Sequence, residues 1–463
     1  MNVSDAFHRY AEKVCEQIRW KKAHPAVAQE IEDHLTDQKN AYLAAGDSES
    51  IAEEKALLQM GDPVSVGAAL DQTHKPAPQW GIIGLVLLLF VLGGIIQVLL
   101  LKTIPVGNDA LATHSAQVLF VFLPLSLATF VGMYFLDFSF FGKHPYVLPL
   151  GLLMVDLAAQ LFGVSYCGKR WFTLGSFALS PLALCLFYRL RSQGRRGYLI
   201  SGVLAVVFCL FLSYCHTFSG VVTFVFSAGI LMLIAAKKEW FGKKNQTILL
   251  LLFLLAVVCL IVLLMFYAPF RYRYGWERLY TIFVPSGDPM GSGYLSTQLK
   301  TILSHCVLLG EGAALSETQA YLLTDASMLR SDYLLAYLTY HYGWVASGIV
   351  VLLLAVFLGL GFRKALKQKS IFGQMVSLTI LCTFTAEILL YIPANLGIWL
   401  IAPIALPFLS YGATALLINM ALAGVLLSVF RTGEVYRDTA PHPIFSDSKF
   451  IQWADGKLTI TFK

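Results

Sequence analysis

The sequence predicts an all-α polytopic membrane protein, a ten-helix transmembrane bundle preceded by a small N-terminal cytoplasmic helical domain, and three observations carry that reading. Of 463 residues, 57% are hydrophobic and only 13% charged, about half the charged share of roughly 25% usual in soluble domains. Apolar stretches without formal charge recur at lengths that cross a bilayer, which takes about 20 residues. The charges are also segregated: residues 1–79 carry a net −5 and the rest a net +11. A secreted soluble enzyme, a disordered chain and a nucleic-acid binder are excluded, the last because its basic residues would cluster on a water-facing surface.

Residues 1–79 form the acidic head and its hinge. Val14, Ile18, Val27, Ile31, Leu35, Ile51, Ala56 and Leu57 recur at three-to-four spacing within helical segments. Ser50 with Glu53 three residues on reads as a capping box opening a helix that Gly61-Asp62-Pro63 ends. Pro76-Ala77-Pro78 leads into the membrane. His24 and His34 lack metal-ligand spacing and read as surface residues. Met1 opens a charged helical pattern, not an apolar signal segment, so the first apolar span is expected to direct insertion.

The spans follow in order: Trp80–Leu101, Ala110–Leu136, Tyr146–Tyr166 with the acid Asp156, and the slightly short Trp171–Tyr188. Tyr198–Ala236 is too long for one crossing and suits two joined near Ser213–Thr217. Thr247–Phe270 is the seventh, one more lies between Asp332 and Phe362, and Ser370–Phe430, whose one charge is Glu387, holds two. Basic clusters at 189–196, 237–244 and 363–369 then fall on one side, which the positive-inside rule makes cytoplasmic together with both termini and the tail 436–463. The opposite face receives the connection 271–331, long enough to be functional. The eight cysteines show neither a CxxC pair nor zinc spacing and read as packing residues; no metal site is indicated.

The head segment from His24 to Pro63 resembles the helical prefix domain found ahead of some bacterial permeases, mostly Gram-positive, and reads as a regulatory or partner-binding module of unidentified ligand. In the long outer loop, Arg278-Leu279, Phe283, Pro285, Asp288 to Tyr294 (DPMGSGY), Gln298, Gly310 and Gly312 precede Asp332 and an apolar helix reaching Gly343. With GKRWFTLG (168–175) and LPFLSYGATALL (406–417), these motifs resemble the shape, elongation, division and sporulation family over residues 80–435. The departures from the family pattern are Tyr340 and His341 in place of acids, Leu179–Leu182 in place of Gln-Pro-Ser-Glu, Ala413-Thr414 in place of Gly-Ser, and Glu387 and Tyr391 in place of glutamine and asparagine.

The resemblance implies a peptidoglycan glycosyltransferase in the bacterial plasma membrane. It would polymerise lipid II on the outer face beside a bitopic class B penicillin-binding protein, the transpeptidase, in elongation, division or sporulation. It also implies Asp332 as the catalytic aspartate of the site. A carboxylate within reach of the acceptor hydroxyl can take its proton as the anomeric carbon is attacked. Position alone also accounts for Asp332 as an acid favoured by a helix N-terminus. The leaving pyrophosphate calls for cations, and the candidates are Arg271, Arg273, Arg278, Lys300 and Arg330 of the outer loop with Lys169 and Arg170 of the short one. Each is equally placed to reach lipid headgroups. A divalent cation, Mg or Mn, suits pyrophosphate chemistry, but no ligand set is legible. Gly293, Gln298, Pro407, Ser410, Tyr411 and Gly412 are motif residues whose expected role is shape: a kink at Pro407, close helix approach at Gly412, and polar groups for freed backbone. Two other readings stay open: a transporter flipping the lipid-linked precursor along a path through Asp156 or Glu387, and a non-catalytic scaffold for the transpeptidase.

Overall fold

The computed structural model describes residues 3–73, 78–101, 109–136, 180–214, 218–242, 293–316, 332–398, 405–410 and 412–432, the strand residues 165–166, 169–170, 451–454 and 457–460, and positions 138, 147, 149–151 and 154. The head contains α1 (Val3–Glu16), a 3-10 turn (Lys21–Ala23), α2 (His24–Ala44), α3 (Glu49–Met60) and α4 (Pro63–Thr73). Its core is formed by Phe7, Ala11, Val14 and Ile18 against Val27, Ile31 and Leu35 of α2 and Ala56 of α3. Arg19 clasps the buried Asp71 of α4 through its backbone N–H and two guanidinium nitrogens at 2.7–2.9 Å. The expected capping box is absent. Ser48 occupies the N-cap without a side-chain bond, which puts Ser50 inside the helix and the apolar Ile51 where the box needs a glutamate.

Six helices among the described residues are long and apolar enough to cross a membrane. They belong to α5 (Trp80–Leu101), α8 (Arg195–Tyr214), α9 (Phe218–Lys237), α12 (Trp344–Leu366), α13 (Ile371–Asn395) and α14 (Ala413–Thr432). α6 (Asp109–Phe135) adds a shorter apolar stretch, Leu119–Phe135. The first span runs from Trp80 to Leu101 as read, and Tyr198–Ala236 divides into α8 and α9. At the fourth, a 3-10 segment (Ser180–Cys185) runs into the five-residue α7 (Leu186–Leu190). Most of Tyr146–Tyr166 with Asp156, and all of Thr247–Phe270, lie outside the described residues. Two short hairpins complete the set: β1 (Ser165–Tyr166) with β2 (Lys169–Arg170), and β3 (Ile451–Ala454) with β4 (Lys457–Ile460) in the tail.

The basic loops converge on one face. Lys238 Nζ donates to Gln374 Oε1 at 3.0 Å, and Gln374 Nε2 donates to the carbonyls of Ala365 and Leu366. Tyr188 packs on Phe372, 4.9 Å between centroids, with the Arg191 guanidinium over its ring. The C-terminal turn of α14 reaches the same end of α6, where Arg431 lies 4.5 Å over Tyr134. α13 forms the centre, packed by α9, α12 and α14, and α14 lies along α6.

One expected element differs. The stretch from Asp332 to Phe362 is two helices: α11 (Leu334–Tyr342), buried from Leu334 to Tyr340, then α12. Gly343 separates them with φ +88, a left-handed conformation that suits glycine, and a Cβ there would meet Leu309 Cα at 2.8 Å.

Candidate active site

At the face opposite the basic loops, four segments meet: α10 (Tyr294–Ser304), the start of α11, the end of α13 and the turn 405–410. Asp332 is half-buried and stands two residues before α11, where the helix dipole favours negative charge. The side chain of the α11 N-cap residue, Tyr333, makes no capping bond. The first N–H groups of α11 are met from α13: Tyr391 Oη accepts from Leu334 N at 2.9 Å and Asn395 Oδ1 from Ala336 N at 3.1 Å. Asn395 Nδ2 donates to the Asp332 carbonyl at 2.9 Å and to the Tyr391 carbonyl at 3.1 Å. Unsatisfied N–H groups at a buried helix start are costly, so Tyr391 and Asn395, one turn apart, fix both α11 and the backbone that carries the carboxylate.

Ser410 joins this network from the turn. Its Oγ accepts from Leu406 N at 2.9 Å and donates to Tyr391 Oη at 3.4 Å. The turn begins at Pro407, and Phe408 holds φ +69, a strained conformation for a bulky residue. Its buried ring is clamped by Phe357 and Phe384 at 5.4 and 5.3 Å between centroids. Gln97 Nε2 of α5 donates to the Leu409 carbonyl at 3.0 Å. A close helix approach at this turn involves Gly93 of α5. A Cβ on Gly93 would meet Leu409 Cα at 2.9 Å; among the described residues, one on Gly412 would meet Ala415 of the following helix at 3.3 Å.

α10 presents Lys300 beside the end of α13: Ser296 Oγ donates to the Gly397 carbonyl, and a Cβ on Gly397 would lie 3.2 Å from Lys300 Cγ. Lys300 is exposed. Gly293 is the buried N-cap residue of α10, and the half-buried Gln298 has its Oε1 enclosed without a partner among the described residues. Lys169 and Arg170 form β2, of whose side chains nothing is described. Arg271, Arg273, Arg278, Arg330 and Tyr411 lie outside the described residues. Thus Asp332, Lys300, Gln298, Pro407 and Ser410 come to one end of the bundle. Among the described residues no three carboxylate, imidazole or thiol side chains gather into a metal site, so no step is derived through a cation. Glu387 is 2% exposed in α13, with Oε2 unpartnered among the described residues.

Sequence reasoning did not assign Tyr391 and Asn395 to the site. In the sequence, Tyr391 stands out as a departure from the family pattern, and the pair as two polar residues four apart near the end of an apolar span.

The fold defines a polytopic helical membrane protein, and sequence comparison supplies its family. Residues 79–434 match the FtsW/RodA/SpoVE family, described as cell cycle protein. The chain belongs to that family. It is 28% identical over 346 residues to the probable peptidoglycan glycosyltransferase FtsW of Aliivibrio salmonicida, covering 70% of this chain and 81% of that one. It is 29% identical over 164 residues to the stage V sporulation protein E of Bacillus subtilis, a match that covers 35% of this chain and only 43% of that protein. In structure it resembles a chain of a peptidoglycan synthase complex that coordinates polymerization and crosslinking, with TM-score 0.59, 20% identity, and 78% of this chain and 99% of the other covered. The rod shape determining protein RodA of Thermus thermophilus aligns with TM-score 0.51 and 17% identity over the same shares.

Proposed function

We propose that this chain is a peptidoglycan glycosyltransferase that polymerises lipid II at the outer face of the bacterial plasma membrane. The observation that carries the proposal is the placement of Asp332: a half-exposed carboxylate on a backbone pinned by Asn395, at the start of a buried half-helix, on the face away from the basic loops. The names carried by the family relatives supply the reaction class.

In the reaction, the acceptor sugar hydroxyl attacks the anomeric carbon of the donor. A C–O bond forms there while the bond to the lipid pyrophosphate breaks, and the hydroxyl proton passes to the Asp332 carboxylate. Lys300 is placed to meet charge on the leaving pyrophosphate. Arg278, Arg271, Arg330, Lys169 and Arg170 remain candidates for the same task. Tyr391 and Asn395 act through Asp332 as positioning residues. A bitopic class B penicillin-binding transpeptidase is the proposed partner, by analogy with the synthase complex this chain resembles.

The orientation follows the positive-inside rule, with both termini cytoplasmic and the 271–331 connection outside. On a background with the native cysteines removed, a cysteine at Ser304 should react with an impermeant maleimide added to intact cells and one at Ser192 should not; the opposite pattern would reverse the topology. Polymerisation of labelled lipid II by the purified protein, alone and with candidate transpeptidases, tests the activity. A positive lipid-translocation assay dependent on Glu387, with no polymer under any condition, would favour the transporter reading instead.

A further inference from the structure

The connection after α10 holds an apolar tip that the reaction does not use. Val307, Leu308 and Leu309 follow one another, and the two leucines are 69% and 70% exposed. The tip is firmly built. Trp344 N donates to the Val307 carbonyl at 3.1 Å and Val345 N to the Leu308 carbonyl at 3.2 Å. Gly312 N donates to the Tyr340 carbonyl at 2.7 Å, and Tyr340 Oη returns a bond to the Ala313 carbonyl at 3.1 Å. The segment is therefore clamped across the junction of α11 and α12.

Its depth follows from the helix it is bonded to. α12 has 23 residues, about 34 Å at 1.5 Å per residue, against a hydrocarbon core of about 30 Å. Arg363 and Lys364 mark the far end, so the first turn of α12 lies at the opposite hydrocarbon boundary. Leu308 is bonded to that turn and shares its level. Exposed Tyr342 and Trp344 flank it, the residue types that gather at membrane interfaces. The apolar surface continues without a break down Val345, Ile349 and Leu352, all exposed on α12. On the other side of the tip, Glu311 is exposed and pairs with His341 at 3.2 Å, so the polar flank ends where the leucines begin.

We propose that Leu308 and Leu309 insert into the acyl region of the membrane leaflet on this face, as a monotopic anchor. Because the tip is bonded to α11 and continuous with α10, the anchor holds Asp332 and Lys300 at a set depth relative to the lipid surface. The placement does not depend on which reaction the site performs, and its test reads no activity.

An environment-sensitive fluorescent amino acid introduced at Leu308 by stop-codon suppression leaves all eight native cysteines in place. In liposomes of phosphatidylglycerol and phosphatidylethanolamine, its emission should be blue-shifted and quenched several-fold more by phospholipid brominated on the acyl chain than by aqueous iodide. The same probe at Glu311 should show the reverse. Equal iodide quenching at 308 and 311 would overturn the proposal. So would a probe at 308 that is shielded only after a bitopic transpeptidase is added, since the surface would then be a protein interface. If the Leu308 variant does not fold, Leu309 offers the same measurement one residue away.

Discussion

α12 and α13 are neighbours in sequence and space and both are apolar enough to cross a membrane, yet they do opposite work. α12 buries a single narrow stripe, Ser347, Val350, Leu354, Phe357, Gly361 and Ala365, and turns the rest of its surface outward. α13 is buried on nearly every side and carries polar groups through the interior, among them Gln374, Thr379, Thr383, Glu387, Tyr391 and Asn395. The difference teaches that in a membrane protein, hydrophobicity identifies the spans but not the core. Lipid is as apolar as leucine, so the polar residues mark which helix is central, because each needs a partner or a role away from lipid.

Substitutions of matched kind on the two helices should separate sharply. Phe384→Ala on α13 removes a ring with no exposed surface that packs on Phe357 and Phe408, and it should cost about 3–5 kcal/mol. Leu352→Ala on α12, 62% exposed, should stay within about 0.5 kcal/mol. Thermal unfolding of the detergent-solubilised protein compares them, and similar losses would mean that α12 has a buried partner on that flank.

Asn395→Ala should come next in effect. It removes the side chain that accepts from the Ala336 N–H and donates to the Asp332 carbonyl, at about 1–3 kcal/mol for the buried N–H left unpaired. Loosening the carboxylate should also lower turnover by up to about 10²-fold, with the KM for lipid II nearly unchanged. Tyr391→Phe deletes the oxygen that accepts from both Leu334 N and Ser410 Oγ and should do the same more mildly. A rise in KM at constant kcat would show that these residues bind substrate rather than position Asp332. The smallest effect is expected from Glu387→Gln, which keeps shape in a side chain whose Oε2 has no partner among the described residues. Stability and polymerisation should be nearly unchanged, whereas loss of either would assign that carboxyl a task.

Much of this was legible from residue order. The absence of charge from Trp80 to Leu101 bounds α5 at both ends, and the shared side of the basic loops follows from counting crossings. The break at Gly343 was hidden, because Tyr342, Trp344 and Val345 continue the apolar run and the positive φ depends on Leu308 and Leu309 packed against it. The contacts of Tyr391 and Asn395 join segments 57 and 59 residues apart, a separation no periodicity records. The resemblance implies Asp332, and the structure adds what holds its backbone: Asn395 bonds its carbonyl, and the Tyr391 hydroxyl is tied to both Ser410 and α11.

In the proposed reaction the carboxylate held at the start of α11 is the base for glycosyl transfer. The direct test is polymerisation of labelled lipid II by the Asp332→Asn protein, alone and with candidate transpeptidases, beside wild type at matched expression and melting temperature. The substitution keeps size and hydrogen-bonding capacity and leaves the Asp332 carbonyl free to accept from Asn395. The account predicts a loss of about 10²–10⁴-fold in rate with lipid II binding largely retained. Polymerisation at the wild-type rate by a folded Asp332→Asn protein would contradict it.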